Sequence, residues 1–180
     1  MANYAVVRTD KMHGTDDRTG LASAIYLSGE EVQLAIENGN VVALGGLYSD
    51  DDVTVPRPYK REIYVASAPE KDAAVSTLAL VATPELNYDE RKRALHEFRN
   101  EAGDIIRVYR LRQGDIFSVT AEALQGTSTD FVRGAVVELG TSNTTKLKVV
   151  DEATSGSTTV GKILNIETVG QYTYYVIEVV

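Results

Sequence analysis

Short runs of β-prone residues, separated by clusters of turn formers, constrain the fold of this chain most. From about residue 126 onward the chain is rich in Thr, Val, Gly and Tyr, and turn clusters return about every 8 to 15 residues. This spacing is typical of a small antiparallel barrel or sandwich. We expect the apolar final run to be an interior strand, because such an edge would aggregate. The predicted strands are residues 4–7, 22–27, 41–44, 62–66, 76–82, 105–109, 116–120, 135–139, 146–150, 161–167 and 172–180.

Residues 28–44 carry two conflicting signals. Ser28 followed by Glu31 resembles a capping box, which favours the start of a helix. Val32, Leu34 and Ile36, however, alternate with Gln, Ala and Glu, and Asn38-Gly39 then precedes a second apolar run. Asn-Gly between two apolar runs favours a β-hairpin, because a type I′ turn needs positive φ at both central positions. We therefore predict a hairpin here.

One short helix is predicted at about residues 88–102. Asn87 is a good N-cap, and Glu90 completes a capping-box pattern. Apolar residues at three- and four-residue spacings follow, and Gly103 is a natural stop. A helix of roughly three turns must dock on another element to persist. We expect His96, in the middle of it, to be a surface histidine.

Two polar segments and a shift in composition divide the chain. Residues 9–20 are rich in turn formers and predict an extended loop or arm. Residues 49–61 predict a surface loop that two prolines stiffen. Turn formers at 126–130 mark a boundary. The predicted fold is therefore mainly β: an antiparallel β-rich N-terminal domain with one short helix, residues 1–125, and a small C-terminal β-barrel or sandwich, residues 126–180.

Composition excludes several kinds of chemistry. The chain has no cysteine, so it has no disulfide, zinc–thiolate site, iron–sulfur cluster or thiol nucleophile. With two histidines it cannot build a three-histidine metal site. Its net charge is −8, from 18 basic and 26 acidic side chains, which disfavours nucleic-acid binding. No apolar run is long enough for a membrane span, and no phosphate-binding loop motif is present. We predict no cofactor, no nucleic-acid partner and no membrane partner.

The sequence offers only weak candidates for a catalytic or metal-binding site. Asp50, Asp51 and Asp52 could bind calcium, but the EF-hand spacing is absent and consecutive carboxylates point in different directions. His13 has acidic residues and serines nearby in sequence, yet there is no GxSxG nucleophile motif. A pair of carboxylates could hydrolyse a glycoside, but there is no Trp to stack on a sugar. We predict a protein without enzymatic activity, with a small carboxylate-dependent hydrolase as the less favoured alternative.

A basic cluster lies around one predicted strand. Arg107 and Tyr109 share a face of it, and Arg110 and Arg112 follow toward the next turn. The cluster could bind an acidic protein surface. Salt bridges to acidic residues of the predicted helix explain it equally well.

Five segments are informative as wholes: residues 4–16, 36–42, 80–92, 97–103 and 112–124. They resemble small proteins that tailed bacteriophages encode beside the major capsid protein. Together they span most of residues 1–125. The resemblance implies a head decoration (cement) or head-fiber-base protein with no catalytic residues. It also implies a place on the capsid exterior of the virion after synthesis in the bacterial cytoplasm, and contacts with the major capsid protein lattice and with neighbouring copies.

Polar residues in the arm and in the proline loop are the candidates for contact with the capsid. An acidic chain suits an outer surface, away from packaged DNA. The alternative is a head-fiber base or a tail-associated virion protein whose C-terminal module binds a glycan or a fiber. The candidate contacts are Tyr4, Arg8, Lys11, His13 and Arg18 in the arm, and Arg57 and Tyr59 in the proline loop.

Overall fold

A computed structural model of the chain describes residues 3–8, 12, 20–29, 32–48, 63–86, 94–127, 129–140 and 144–180. Over these residues the protein is mainly β, as predicted, with 47% of them in strands and 6% helical. Within the described ranges no helix reaches seven residues, and none is long and apolar enough to cross a membrane.

Five strands form a closed barrel, and six form a curled sheet. The barrel strands are β1 (Leu21–Tyr26), β2 (Val41–Leu47), β3 (Ile63–Ser67), β4 (Leu78–Val81) and β5 (Ile105–Arg110). The sheet strands are β6 (Ile116–Val119), β7 (Leu124–Gln125), β8 (Val136–Leu139), β9 (Leu147–Val150), β10 (Thr159–Val169) and β11 (Tyr172–Val179). Single turns of 3-10 helix occur at Val75–Thr77, Leu95–Glu97 and Ala121–Ala123.

The barrel closes in the order β1-β3-β2-β4-β5, with β5 paired back to β1. β1 and β3 run parallel, and the other neighbours are antiparallel. Five strands enclose little space, so the inward cluster uses small residues: Ala24, Ala66 and Ala79 pack with Ile106 and Val108. The closed barrel thus lies in the N-terminal part of the chain, and the C-terminal strands belong to the curled sheet.

The sheet has the order β6-β11-β10-β8-β9-β7. The final strand, β11, lies between β6 and β10 and is therefore interior, as expected. β6 and β7 come from before residue 126, so the sheet recruits strands from both sides of the composition shift.

Residues 4–8 lie along the outer side of β6. The N–H of Arg8 donates to the carbonyl of Ser118 at 2.9 Å, and the N–H of Thr120 donates to the carbonyl of Val6 at 2.9 Å. These bonds flank a bridge between Val7 and Val119. Residues 5, 6 and 7 are each no more than 3% exposed. Residues 4–8 thus extend the C-terminal sheet at its β6 edge through a single bridge, and we call them the N-terminal edge strand.

One hydrophobic core joins the barrel and the sheet. Val41, Leu78 and Leu80 of the barrel lie in the same buried cluster as Phe117 and Ile177 of the sheet. Strands β2 and β4 thus face the barrel interior on one side and the sheet on the other, because alternate residues point in opposite directions. The two sheets depend on each other for burial.

The predicted hairpin across Asn38-Gly39 is wrong. Gly39 does occupy a turn, with φ of +82°. Strand β2 nevertheless pairs with β3 and β4, so neither of its sides is available to residues 32–36. Those residues instead form isolated bridges to Leu27 and Asn100. Long-range pairing has overridden the local turn signal.

The predicted helix is also wrong over the part of it that the structure describes, residues 94–102. Leu95–Glu97 forms one 3-10 turn, and the chain then becomes extended. Asn100 exchanges two backbone hydrogen bonds with Ile36, at 2.9 and 3.0 Å, and its side chain donates to the Asn38 side chain at 3.2 Å. These tertiary contacts replace helical bonds. The first half of the predicted helix, residues 87–93, lies outside the described ranges.

Candidate functional site

Two of the seven predicted contact residues, Tyr4 and Arg8, fall within the described structure. The other five lie outside it, as do the acidic run Asp50–Asp52 and the acidic neighbours of His13. The five are Lys11, His13, Arg18, Arg57 and Tyr59.

The arm and the proline loop join the barrel at the same end. In the register of the strands, Leu21 lies opposite Tyr109, and Leu47 lies opposite Tyr64. Because β1 and β3 are parallel, the arm enters β1 at the same end at which the proline loop leaves β2 and enters β3. The sequence could not reveal this, since strand direction depends on the closure of the barrel.

Aromatic and basic side chains form a second feature, which we call the tyrosine–arginine face. It lies where the N-terminal edge strand meets the turn Leu95–Glu97 and the β10–β11 hairpin. The guanidinium of Arg99 lies 5.3 Å from the centre of the Tyr4 ring, and that of Arg8 lies 5.3 Å from the centre of the Tyr174 ring. Both are cation–π distances. The face consists of Tyr4, Arg8, His96, Arg99, Tyr172 and Tyr174.

His96 and Tyr172 link the barrel half of the molecule to the hairpin. His96 Nδ1 and Tyr172 Oη are 2.9 Å apart, and the Gln171 side-chain amide donates to the same oxygen at 2.9 Å. The rings of His96 and Tyr172 are 6.0 Å apart, and those of Tyr172 and Tyr174 are 6.1 Å apart. The rings form a continuous row across the junction.

Hydrogen bonds donated by its backbone N–H groups hold the edge strand against the barrel. The Tyr4 N–H donates to the carbonyl of His96 at 2.9 Å, and the Ala5 N–H donates to Glu37 Oε2 at 2.9 Å. Glu101 then orients the Arg99 guanidinium through two hydrogen bonds of 2.9 Å each. This hydrogen bonding raises the pKa of Arg99. Glu101 therefore orients the Arg99 guanidinium and offsets its charge.

A groove of about 470 Å³ opens beside the face. Tyr4, His96 and Tyr172 line its walls, and Thr120 and Glu122 lie among its other lining residues. Rings, hydroxyls and one carboxylate supply apolar contact area and hydrogen-bonding groups together. Such mixed surfaces, rich in tyrosine and arginine, are typical of protein–protein contacts.

The basic cluster is divided between different surroundings. Arg107 is exposed on β5, whereas the Arg110 guanidinium stacks over the Tyr64 ring at 4.8 Å. Arg110 and Arg112 also line a separate groove of about 390 Å³. The residues therefore do not form one uniform basic surface. Most of the acidic partners considered for them in the predicted helix lie outside the described ranges.

Two carboxylates with shifted pKa values hold loops together. Burial alone would raise the pKa of Glu138, but hydrogen bonds from Thr154 and Lys148 outweigh it and lower that pKa. The backbone N–H and hydroxyl of Thr127 lower the pKa of Asp130. Where the structure describes the chain, no group of three His, Asp or Glu side chains could hold a metal ion.

Sequence reasoning missed four of the six residues of the face. The sequence predicts His96 on a helix surface and predicts no contact role for Arg99, Tyr172 or Tyr174. The spacing of Tyr172 and Tyr174, two residues apart on one strand, does place them on one side of a sheet. Their meeting with His96, 76 residues away in sequence, is a tertiary contact that no local pattern encodes.

No known protein family matches the chain, and no curated protein matches its sequence.

Proposed function

We propose that this chain is a non-enzymatic structural protein of a tailed-phage virion, which binds and stabilises the outer surface of the capsid. The tyrosine–arginine face carries the proposal. Tyr4, which the sequence predicts as a capsid contact, lies with the partly exposed side chains of His96, Arg99 and Tyr172. Arg8, the other predicted contact in the described structure, is mostly buried and stacks on Tyr174, which belongs to the buried residues. Tyrosine and arginine are enriched among the residues that dominate binding energy at protein interfaces.

The arrangement of the polar segments supports the same role. The arm and the proline loop, with five of the seven candidate contacts, join the barrel at one end. A rigid closed barrel that presents two polar segments together suits a protein that binds a repeating lattice through several modest contacts. On a lattice, such contacts gain strength through multivalency. The net charge of −8 favours the outside of a particle over contact with its DNA.

Substitution on the face tests the proposal. We expect a Tyr4→Ala, Arg99→Ala double variant to bind capsids that lack this protein at least tenfold more weakly than the unmodified chain, because interface hot spots contribute about 2 kcal/mol or more each. Binding is measured by co-sedimentation with undecorated heads. Deleting residues 1–20 would be a poorer test, since residues 5–7 belong to the core.

Val132→Ala provides the matched control. Val132 is 48% exposed, lies in the turn between β7 and β8, and is not among the residues of the face or of the groove beside it. This control should bind like the unmodified chain. Equal binding by all three proteins, with melting temperatures unchanged, would remove the face from the interface. If the unmodified chain itself does not co-sediment with heads, the proposed function is wrong.

A further inference from the structure

The edge of β6 is a binding slot for an extended segment. Its occupant is held by the two backbone hydrogen bonds to Ser118 and Thr120, and by a third from the Val6 N–H to the Thr120 hydroxyl at 3.1 Å. Ala5 and Val7 belong to the large core that contains Val119, and Met12 packs against that core. Without an occupant, β6 would be an exposed edge beside open apolar positions.

The occupant is distant in sequence from its slot and is joined to the barrel by a polar tether. Between Met12 and Gly20 lie seven residues, His-Gly-Thr-Asp-Asp-Arg-Thr, none of them aliphatic or aromatic apart from the histidine. Fully extended, this tether reaches at most about 26 to 29 Å. Nothing in its composition favours one partner slot over another.

We propose that the β6 slot is a site for a second copy of this chain, in which residues 3–8 of one copy complete the sheet of another. Every hydrogen bond and buried contact of the segment is kept in the exchange, because both copies have the same sequence. The two arrangements then differ mainly in tether entropy, so concentration decides between them. Each copy carries one segment and one slot, so the contact is head-to-tail or reciprocal. This inference concerns the chain alone and does not depend on capsid binding.

Because the chain has no cysteine, cysteines introduced by substitution are the only thiols in a crosslinking experiment. Val7 and Val119 are a non-hydrogen-bonded pair, because the two backbone hydrogen bonds flank them. The Cα atoms of such pairs are about 4.5 Å apart, which is close enough for a disulfide bond. Val7→Cys and Val119→Cys chains, tagged differently, are mixed and oxidised at about 10 µM and about 1 mM, where neighbours compete with the tether. We expect a disulfide-linked pair of unlike chains whose yield rises at least tenfold between the two concentrations.

Thr168→Cys and Thr173→Cys chains are the matched control. These residues face each other across the β10–β11 hairpin, with hydroxyls 3.4 Å apart, but they have no tether that would let them exchange. A chain carrying both Val7→Cys and Val119→Cys should close its disulfide internally at low concentration, which verifies that the variants fold. If that chain closes while the mixed single variants link no more than the control pair, the exchange does not occur. Light scattering of the unmodified chain is a second measurement: a monomer mass that stays constant up to 1 mM would also overturn the proposal.

Discussion

Glu138 is fully buried in β8, yet its surroundings favour the charged form. The carboxylate accepts hydrogen bonds from the Thr154 backbone at 2.9 Å, the Thr154 hydroxyl at 2.8 Å and the Lys148 ammonium at 3.1 Å. Lys148 lies directly opposite it on β9. A buried carboxylate without such partners would be strongly destabilising. Glu138 therefore fixes the position of the β9–β10 loop.

This arrangement predicts an acid-sensitive contribution to stability. Because the pKa of Glu138 in the folded state lies below its ordinary value of 4.5, the unfolded chain binds protons first as the pH falls. The contribution is complete above about pH 4.5 and is lost as the pH drops through the folded-state pKa. We expect Glu138→Gln to lower the free energy of unfolding at pH 7 by about 1–3 kcal/mol and to reduce its loss on acidification. Urea unfolding at pH 7 and pH 3 measures both effects.

Glu152→Gln is the control for that experiment, since Glu152 is exposed in the same loop. It should leave both quantities near those of the unmodified protein. An identical acid response in Glu138→Gln and the unmodified chain would contradict the assignment.

Single residues also explain where local signals failed. Asn38 carries the local signal for a hairpin turn, but its side chain is buried and bonds to the backbone of Thr83 at 2.8 and 3.0 Å. Asn100 was placed in a helix, and its side chain donates to Asn38. Buried amides need partners, and here the partners lie 45 and 62 residues away. Sequence patterns within a few residues carry no information about them.

At the scale of elements, β10 and β11 form the longest pairing in the molecule's described part. They run together from Gly161–Val179 to Val169–Tyr172, with one irregularity between Ile163 and Asn165. At Gly161, the backbone of β11 lies too close to β10 to leave room for a side chain. A Cβ atom there would lie 2.2 Å from the carbonyl oxygen of Glu178, a backbone atom that cannot move aside cheaply.

Gly161→Ala should therefore destabilise the protein by about 1–3 kcal/mol or more, through overpacking between two backbones. Gly46→Ala is the matched control, because a Cβ atom at Gly46 would meet nothing within 4 Å. Thermal unfolding measures both variants. We expect a clear drop in melting temperature for the first and little change for the second; equal melting temperatures would show that the hairpin tolerates the clash.

Most strands could be predicted from sequence because each is a local β-prone run between turn formers. The runs at 105–109 and 116–120 reappear as β5 and β6 with ends shifted by one residue. Between β6 and β7 the chain forms a single 3-10 turn, Ala121–Ala123. The two wrong predictions, the hairpin across Asn38-Gly39 and the helix at about 88–102, fall in segments whose structure is set by long-range pairing.

At the scale of the whole molecule, the shared core governs stability. Leu78 and Leu80 of the barrel pack in one cluster with Phe117 and Ile177 of the sheet. The division between the two sheets falls between β5 and β6, and the sheet also uses residues 4–8 from the start of the chain. Neither half can bury its apolar face alone.

We therefore expect the whole chain to unfold in a single transition and residues 126–180 to remain unfolded when produced alone. That fragment supplies β8 to β11 but lacks β6, β7 and the edge strand. Circular dichroism and amide proton dispersion in NMR test the fragment, with the full chain as control. A dispersed spectrum from the fragment would show that the C-terminal strands form an independent domain.

The sequence by itself determined the β class, the approximate place of most strands and the interior position of the final strand, because alternation, turn formers and apolar content are local properties. It also selected Tyr4 and Arg8 of the tyrosine–arginine face. Tertiary structure alone decided the parallel pairing of β1 with β3, the docking of Val7 on Val119 and the extended path around Asn100. Those features depend on which residues, distant in sequence, bury one another. The free energy of that burial is gained only when the chain folds, so local sequence patterns do not encode it.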